Sequence, residues 1–556
     1  MNRNTWIILS LILLFAAFGL SWRLGDRLLW GDEAETANLA VNILKFGVPV
    51  ADDGRNVITL LNGNDLNEQK IWVWSPWLDE YIAAGSFWLF GKSTETARLP
   101  FVVLGFVTLV LLGRLTHHVY ENIELTLTVM FMCAMCVSFY LLSRQCRYHA
   151  VLMCAQVGLL FGFHELIRRR PVRGTIVLAI ALIAQFYCNY VIVAGNVAAL
   201  CVAGAILLRW HWRRLWPMGI SFAVFGLAAL PWLLYAQSVK QSNFIQINTI
   251  LNNWLSFVLK MDWLIAPAIV MLLALGVLIC REVRRRRNEP TVSDATGADY
   301  PLAASEFSVL IASTIVVVPL FLSIPPFGHF RYLGALVPVL MLALGVSMCY
   351  VVRWTWLRRA LVLIVALTNV LSVVRFVAPE PNHGLDVPMV RFVRSITTEY
   401  TDRVEDLVDF LNEQAEPGQM VYLPHPAFPL IFHTDQRYFD ARYHLSHIQG
   451  KTPKRFRALD KKHPPDWIFI RGPSGHRTNQ LQDEAMPGFA RLEILVHATP
   501  ADNSTAAPHL HEFFTTTEWE KFVIYRNLDT TRPVSDEWLA DSTAEHRSQS
   551  HQGHRH

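Results

Sequence analysis

Cysteine is absent from the two most polar parts of this 556-residue sequence, residues 22–97 and the C-terminal third. All eight cysteines lie in or beside apolar segments, so no disulfide framework is encoded in the water-exposed parts. The pair Cys133 and Cys136 has the spacing of a metal or redox motif, but it lies in an apolar run without nearby histidines. A packing role is therefore favoured for this pair.

Charged residues are scarce as well. They make up 17% of the chain whereas 53% is hydrophobic, which places the sequence in the polytopic membrane class. The net charge of +4 decides little by itself, because the basic residues are strongly segregated.

The C-terminal region has no G-x-G-x-x-G and no G-x-x-x-x-G-K-[ST] sequence, so nothing argues for nucleotide binding, and no nucleic-acid partner is expected. No small-residue cleavage site precedes Trp22, so an uncleaved signal-anchor is expected.

Long apolar runs dominate the first 378 residues. About 20 apolar residues span a bilayer as a helix, and a window of that length predicts about 11 transmembrane helices. They cover residues 5–22, 98–116, 123–142, 148–167, 172–187, 189–208, 215–236, 261–280, 306–324, 332–352 and 358–377. The run 172–208 is too long for one helix, so we place a hairpin at Asn189 and Tyr190.

Arginines alternate between the two sides of this arrangement. Clusters at 168–173, 209–214, 281–287 and 353–359 fall in loops on one side, and the intervening short loops carry far fewer basic residues. Because positive residues stay on the cytoplasmic side, the N-terminus is predicted to be cytoplasmic. The chain is expected to be a multi-pass protein of the cell inner (cytoplasmic) membrane, with its C-terminal domain extracytoplasmic.

Three regions follow from this pattern. Residues 1–378 form the predicted transmembrane domain, with a long first outer loop at about 22–97 and a flexible connector at 281–305. Residues 379–528 are predicted to form an extracytoplasmic α/β domain, because helical and apolar strand patterns alternate there. Residues 529–556 form a polar, His-rich tail that is expected to be disordered.

Local patterns predict elements within these regions. In the outer loop, Glu35–Phe46 has the spacing of an amphipathic helix, and it is followed by a dense group of aromatic residues that suits the headgroup region. In the C-terminal domain a helix is predicted at 402–414. Strand candidates lie at 420–423, 466–470, 492–496 and 521–525.

Acidic and basic residues lie together at the predicted outer helix ends. The stretch Trp30-Gly31-Asp32-Glu33-Ala34-Glu35 places three carboxylates directly after the first span. Charged groups are energetically costly there, so they indicate a functional site. The alternative is that these acids only mark the membrane–water boundary. Arg144 and Arg147 lie where the third and fourth spans meet, and Arg331 lies between the ninth and tenth. Arginine suits phosphate because its planar fork donates two hydrogen bonds; the alternative is an arginine that extends to lipid headgroups.

The order of these motifs resembles the GT-C glycosyltransferases, in particular the protein O-mannosyltransferases and the bacterial lipid A aminoarabinose transferases. The resemblance covers about residues 5–350. It rests on Trp30 to Glu33, Ser75-Pro76-Trp77, Leu89-Phe90-Gly91, Ala97-Arg98-Leu99-Pro100, Ser143 to His149 and Phe330 to Leu333. It implies a polytopic α-helical membrane protein of GT-C type, a polyprenyl-phosphate-linked sugar donor, and Asp32 as the catalytic base.

The sequence departs from the family pattern in front of Pro76. Many relatives carry an acidic or basic residue or a His-Pro there, whereas this chain has Trp74-Ser75. Lys70 or the pair Asp79-Glu80 is the candidate substitute for the missing metal or phosphate contact. No cofactor is predicted, and the need for a divalent metal ion is left open. The chain also lacks the Trp-Trp-Asp sequence of oligosaccharyltransferases, which disfavours transfer to a protein Asn sequon.

These observations predict an inverting glycosyltransferase, a hexosyl- or pentosyltransferase, that acts on the outer face of the membrane. The donor is a polyprenyl-phosphate-linked sugar, and the acceptor is a lipid, a glycan or a protein. Asp32 is the predicted base and Glu33 beside it orients the acceptor. The residues predicted to bind the donor phosphate are Arg147, Arg331, Lys70 and Arg144, with Tyr148, His149, His329, Tyr332, Asp79 and Glu80 as further site candidates.

Two other classes share this hydropathy profile. A transporter or flippase of lipid-linked saccharides predicts ionisable residues within the spans and two related halves, and the sequence shows neither. A non-catalytic membrane scaffold would use its outer domain to bind a partner, and loss of activity in a folded Asp32 variant would argue against it.

Overall fold

The computed structural model describes most of the apolar region and part of the C-terminal domain. The described residues are 3–61, 63–236, 249–267, 276, 300–325, 328–352, 354–374, 387–398, 403–423, 428–440, 465–469, 488–497 and 519–529. Most of the predicted span 261–280, most of the connector 281–305 and residues 530–556 of the predicted tail lie outside this set.

Helices form most of the described residues up to Leu367. They are α1 (Arg3–Ser21), α2 (Gly31–Phe46), α3 (Leu78–Phe90), α4 (Thr94–Tyr120), α5 (Ile123–Ala134), α6 (Val137–Ser143), α7 (His149–Ile167), α8 (Pro171–Phe186), α9 (Tyr190–Ala236), α10 (Ile250–Leu264), α11 (Tyr300–Leu322), a 3₁₀ helix (Phe330–Leu336), α12 (Val337–Val351) and α13 (Thr355–Leu367).

Apolar length identifies the helices that can cross a membrane. Among the described residues, six qualify, and a bent pair, α5 with α6, makes a seventh. The six are Arg3–Ser21, Thr94–Tyr120, His149–Ile167, Tyr190–Leu207, Trp216–Ala236 and Phe330–Val351, and shorter apolar helices lie at Pro171–Phe186 and Phe307–Leu322. The polytopic α-helical prediction is therefore confirmed, whereas the count of 11 stays a prediction.

Two predicted boundaries in the membrane region are wrong. The loop predicted at 209–214 is helical, since α9 runs without a break from Tyr190 to Ala236, and no glycine or proline lies in 208–216 to interrupt it. The span predicted at 358–377 ends at Leu367, because the backbone N–H groups of Val373 and Val374 donate to Asp262 rather than continuing a helix.

The third predicted span is broken. Helices α5 and α6 meet at an angle of 63° around Met135 and Cys136. Cys133 and Cys136 are buried and carry free thiols, in agreement with the packing role inferred from the sequence. The bend redirects the chain so that residues 144–148 turn back toward α1 and α2 before α7 begins.

The first outer loop contains two helices. The predicted amphipathic helix begins four residues earlier than expected, at Gly31, because Trp30 is extended and Glu33 accepts a hydrogen bond from the Trp30 N–H at 3.4 Å. Acidic residues in the first turn also interact favourably with the positive end of the helix dipole. Consequently Asp32 and Glu33 belong to helix α2 rather than to a preceding coil.

The C-terminal region contains helices and a mixed sheet, which fits the predicted α/β domain. Its helices are α14 (Pro388–Thr397), α15 (Arg403–Gln414) and α16 (Phe428–His433), and its strands are β1 (Met420–Leu423), β2 (Arg437–Asp440), β3 (Trp467–Phe469), β4 (Phe489–His497) and β5 (Trp519–Asn527). The strand order is β2-β1-β3-β5-β4, with β1 parallel to β2 and β3, and β5 antiparallel to β3 and β4. Leu407, Phe410 and Trp467 are fully buried between this sheet and α15.

The C-terminal domain packs on the first outer loop. Asn38 on α2 donates to the Phe428 carbonyl at 3.0 Å, and the Leu29 N–H donates to His433 Nε2 at 3.3 Å. The first outer loop and the C-terminal domain therefore lie at the same end of the helix bundle.

Candidate active site

Asp32 lies in the first turn of α2, at the membrane end of the outer loop. Its side chain is 17% exposed, so the carboxylate is partly accessible. The helix dipole and the neighbouring backbone N–H groups favour a negative charge at this position. The Asp32 carboxylate is therefore oriented by the start of α2 and partly open to solvent.

Two arginines from distant parts of the sequence converge on Asp32. Arg331 of the 3₁₀ helix contacts Oδ2 of Asp32 through Nη1 at 2.7 Å, and Arg147 contacts the same oxygen through Nη2 at 3.6 Å. The guanidinium of Arg331 also lies over the Trp30 ring, 5.6 Å from its centroid. Positions 147 and 331 come together because the segment that follows the α5–α6 bend lies at the same face of the bundle as the 3₁₀ helix.

Glu35 and Thr36 fix the position of Arg147. Nη1 of Arg147 donates to Oε1 of Glu35 at 2.9 Å and to the Thr36 hydroxyl at 2.8 Å. Glu35 is 1% exposed, and burial raises its pKa to about 7; the charge of Arg147 counteracts part of this rise and the charge of Asp32 adds to it. Arg147 is thus clamped between two carboxylates on one face of α2.

Glu33 points away from Asp32 and into the protein. Its carboxylate accepts from Nε and Nη2 of Arg98 at 2.9 and 2.7 Å, and from the Cys146 N–H at 2.8 Å. Arg98 also donates to the carbonyls of Leu24, Arg27 and Leu28. Glu33 is 1% exposed, so it joins α2, α4 and the 144–148 segment and does not present an oxygen to an acceptor.

Arg144 lies apart from this carboxylate cluster. Its guanidinium donates to the carbonyls of Gly19, Leu20 and Trp22 at 2.9 to 3.0 Å. These are carbonyls at the C-terminal end of α1, which lack partners within the helix. These contacts give Arg144 a helix-capping role, and its contact with a donor phosphate stays a prediction.

Asp79 and Glu80 lie in the first turn of α3, beside the cluster. Both are buried, at 2% and 1% exposed. Burial raises the pKa of Asp79, against the opposing charge of Arg147. Burial, together with the adjacent Asp79, raises the pKa of Glu80 well above its ordinary value. The side chains of Asp79 and Glu80 are hydrogen-bonded to each other, and both lie close enough to Arg147 to interact with its charge.

The remaining predicted residues surround the arginines or lie farther along the loop. The centroid of the Tyr148 ring lies 5.5 Å from the guanidinium carbon of Arg147 and 4.5 Å from the centroid of the His149 ring. The centroid of the Tyr332 ring lies 5.8 Å from the guanidinium carbon of Arg331. His329 is half-buried and packs on Tyr332 with ring centroids 5.8 Å apart. Lys70 is half-buried in the turn 67–70, with φ of +61°.

Three residues of the site were not proposed from the sequence. Glu35 and Thr36 follow Asp32 by three and four positions, and such residues share one helix face. A helix start at Gly31 would have indicated both. Arg98 is placed at the start of an apolar span, where a guanidinium needs a buried partner, and that requirement is the signal for its pair with Glu33.

Among the residues that the structure describes, no group of three or more His, Cys, Asp or Glu side chains is arranged to hold a metal ion.

Glu35 makes the stability of the chain depend on pH. Because its pKa lies near 7 in the folded chain against an ordinary value of 4.5, the folded state binds more protons between these values. The free energy of unfolding therefore falls as the pH rises through this window. Glu35→Gln stays neutral, so we expect it to lose less stability than the wild type between pH 5 and pH 8, by on the order of 1 kcal/mol.

Thermal unfolding at pH 5 and pH 8 measures this difference. Glu68→Gln is the matched control, because Glu68 is an exposed acid of the same loop. An identical pH dependence for Glu35→Gln and the wild type would show that Glu35 does not titrate in this range.

The fold is similar to that of a solved structure of ArnT from Cupriavidus metallidurans. The crystal structure of ArnT bound to undecaprenyl phosphate matches with a TM-score of 0.51 at 13% identity, over 81% of this chain and 89% of that chain. The apo structure matches with a TM-score of 0.49 at 12% identity, over 78% and 84%. No protein-family model matches the chain, and a search of curated proteins found no match. The likeness to the undecaprenyl phosphate complex shows that the chain has the fold of ArnT, in agreement with the fold predicted from the sequence.

Proposed function

We propose that this chain, which has the GT-C fold of ArnT, is a membrane glycosyltransferase that uses a polyprenyl-phosphate-linked sugar donor. The observation that carries the proposal is the convergence of Arg147 and Arg331 on the partly exposed Asp32. A general base and two phosphate-binding cations at one place are the groups that sugar transfer from a lipid phosphate requires. ArnT, with the same fold, has been crystallised bound to undecaprenyl phosphate.

Each group has a defined part in the transfer. The acceptor hydroxyl or amine attacks the anomeric carbon of the donor sugar, and its proton passes to a carboxylate oxygen of Asp32. The bond between the anomeric carbon and the phosphate oxygen breaks, and that oxygen keeps the electron pair. Arg147 and Arg331 stabilise the charge that develops on the departing polyprenyl phosphate. Attack opposite the leaving phosphate inverts the anomeric configuration.

The ion pairs of Asp32 connect donor binding to the availability of the base. A donor phosphate is an anion, and it competes with Asp32 for the guanidinium of Arg331. Loss of that contact frees Oδ2 of Asp32 to accept a hydrogen bond from the acceptor. Arg147 stays in place during this exchange because Glu35 and Thr36 hold its Nη1.

Glu33 and Arg98 act as positioning residues in this proposal. They hold the start of α2 against the 144–148 segment, and so set the distance between Asp32 and Arg147. The C-terminal domain covers the outward side of α2 through Phe428 and His433. We infer that it limits which acceptors reach Asp32. The orientation that places this face outside the cytoplasm is the one predicted from the arginine alternation.

The proposal is tested with the full chain purified into lipid nanodiscs. We expect it to release free polyprenyl phosphate from a polyprenyl-phosphate-linked sugar when an acceptor extract is added, as followed by mass spectrometry. Comparison of surface glycans from cells with and without the chain identifies the acceptor. Movement of the intact lipid-linked sugar across the bilayer without release of polyprenyl phosphate would instead establish a flippase.

Arg331→Ala separates donor binding from acceptor binding. A charge-assisted hydrogen bond contributes about 1.5–3 kcal/mol, so we expect the KM for the donor to rise at least about tenfold, while the KM for the acceptor changes less. Steady-state kinetics with each substrate varied in turn measure the two effects. Arg359→Ala is the control, because Arg359 is 72% exposed and pairs with Glu124 elsewhere in the chain. Equal changes in both KM values would indicate a structural role for Arg331.

A further inference from the structure

A large groove lies at the end of the helix bundle opposite Asp32. Helices α1, α4, α5, α7 and α8 enclose it, with a volume of 780 Å³, which is within the range of ligand sites. It lies near the C-terminal ends of α4 and α7, whose N-terminal ends are close to the candidate active site. On α4 the groove runs from Val110 to His118, and at 1.5 Å per residue these positions lie about 18 to 30 Å from Arg98. The groove is therefore distinct from the glycosyltransferase site.

The walls of the groove are apolar. They include Leu9 and Leu13 of α1, Val110 of α4, Ile123 of α5 and Val177 of α8, all only partly buried by the rest of the chain. Gly158 also lines the groove, and a Cβ there would lie 3.6 Å from Ala181, so the absence of a side chain widens the space. An apolar groove of this kind within a membrane bundle accommodates hydrocarbon chains.

The rim of the groove is basic. Arg114 and His117 of α4 are exposed and line it, as does Arg173 of α8. Arg173 lies 3.5 Å from the carboxylate of Glu165, which is fully buried and also contacts His118 at 2.8 Å. That one carboxylate is already shared by several cations. Within the described part of the chain, neither Arg114 nor His117 has an ion-pair partner, so the guanidinium of Arg114 and the ring nitrogens of His117 are available to an anion.

We propose that this groove binds an anionic glycerophospholipid. Its acyl chains lie along the walls from α1, α4, α5 and α8, and its phosphate is held by Arg114 and Arg173 with His117 as a third donor. A glycerophospholipid is favoured as the occupant because it is the membrane's own phosphate-bearing lipid. The arginine alternation predicts this end to be cytoplasmic, where basic residues attract anionic headgroups.

The lipid is detected by native mass spectrometry of the full chain. The purified protein is stripped of lipid in detergent and then offered equal amounts of phosphatidylglycerol and phosphatidylcholine. We expect one phosphatidylglycerol to be retained in preference to phosphatidylcholine. Arg114→Gln and Arg173→Gln should each weaken this retention about fivefold, the effect expected for one basic residue beside an anionic lipid. Equal retention of the two lipids would overturn the phosphate contact.

Arg169→Gln is the matched control for these variants. Arg169 is an exposed arginine at the same end of the bundle but does not line the groove, so retention should be unchanged. Retention of phosphatidylglycerol that is equal in Arg114→Gln, Arg173→Gln and the control would overturn the assignment.

A second arm uses undecaprenyl phosphate as the probe, because it also joins a phosphate to an apolar tail. We expect Arg331→Ala to reduce its retention and Arg114→Gln to leave it unchanged. If Arg114→Gln reduced retention of undecaprenyl phosphate and not of phosphatidylglycerol, the groove would be a polyprenyl phosphate site and the glycerophospholipid proposal would fail. If no undecaprenyl phosphate bound anywhere, the proposed glycosyltransferase function would fail while the result with phosphatidylglycerol still stood.

Discussion

Asp32→Asn is expected to lower the rate of sugar transfer about a thousandfold, within the range for loss of a general base. The amide has the size of the carboxylate but cannot take the acceptor's proton. Because the substituted side chain no longer competes with the donor phosphate for Arg331, we expect kcat to fall while the KM for the donor does not rise. Release of polyprenyl phosphate, measured against donor concentration, separates these two quantities.

The control for this variant is Asp26→Asn, in the same outer loop. Asp26 is half-exposed and pairs with Arg23, and we expect activity close to that of the wild type. Thermal unfolding establishes whether both variants are folded. Substantial transfer by a folded Asp32→Asn protein would remove Asp32 from the mechanism, and Glu35 would then be the carboxylate to test, since its pKa lies near 7.

Glu33→Gln is expected to have the largest effect on stability. The carboxylate and the Arg98 guanidinium form a buried pair with two hydrogen bonds, at 2.7 and 2.9 Å. Removal of one charge leaves the other buried and unpaired, which costs about 3–5 kcal/mol. Unfolding is followed by alkylation of the thiols of Cys133 and Cys146, which are fully buried in the folded chain.

The comparison for Glu33→Gln is a pair of the same type on the surface. Glu493 contacts Arg491 at 2.6 Å and Lys521 at 3.1 Å, and all three side chains are substantially exposed. Glu493→Gln should change the unfolding free energy by less than about 1 kcal/mol. The double variant Glu33→Met with Arg98→Met removes both buried charges, so we expect it to be more stable than Glu33→Gln. A Glu33→Gln protein as stable as the Glu493→Gln protein would contradict the positioning role.

The architecture was predictable from hydropathy because apolar length in a membrane leaves few alternatives. The C-terminal strands were also predictable, since β1, β3, β4 and β5 coincide with short apolar runs in an otherwise polar region. Of the two predicted boundaries that were wrong, the end of α13 depends on tertiary contacts. Nothing near residue 373 in the sequence shows that Asp262 accepts its backbone hydrogen bond.

The site was predictable in its charges and less so in its contacts. The sequence placed Asp32, Arg147 and Arg331 together because all three lie at predicted outer helix ends. In the structure both guanidinium groups lie within 3.6 Å of the Asp32 carboxylate. Arg144 has the same residue type and a neighbouring position, yet the turn at 144–148 points its guanidinium at α1. Only the three-dimensional path of that turn distinguishes the two arginines.

The contacts between α2 and the C-terminal domain also constrain the order in which the protein is made. Asn38 is separated by 390 residues from its partner Phe428, and Leu29 by 404 residues from His433. During synthesis the helix that carries Asp32 leaves the ribosome among the first elements, and its outer cover among the last. The candidate active site is therefore completed late in biogenesis, because a nascent chain that has not yet extended past residue 433 cannot cover Asp32.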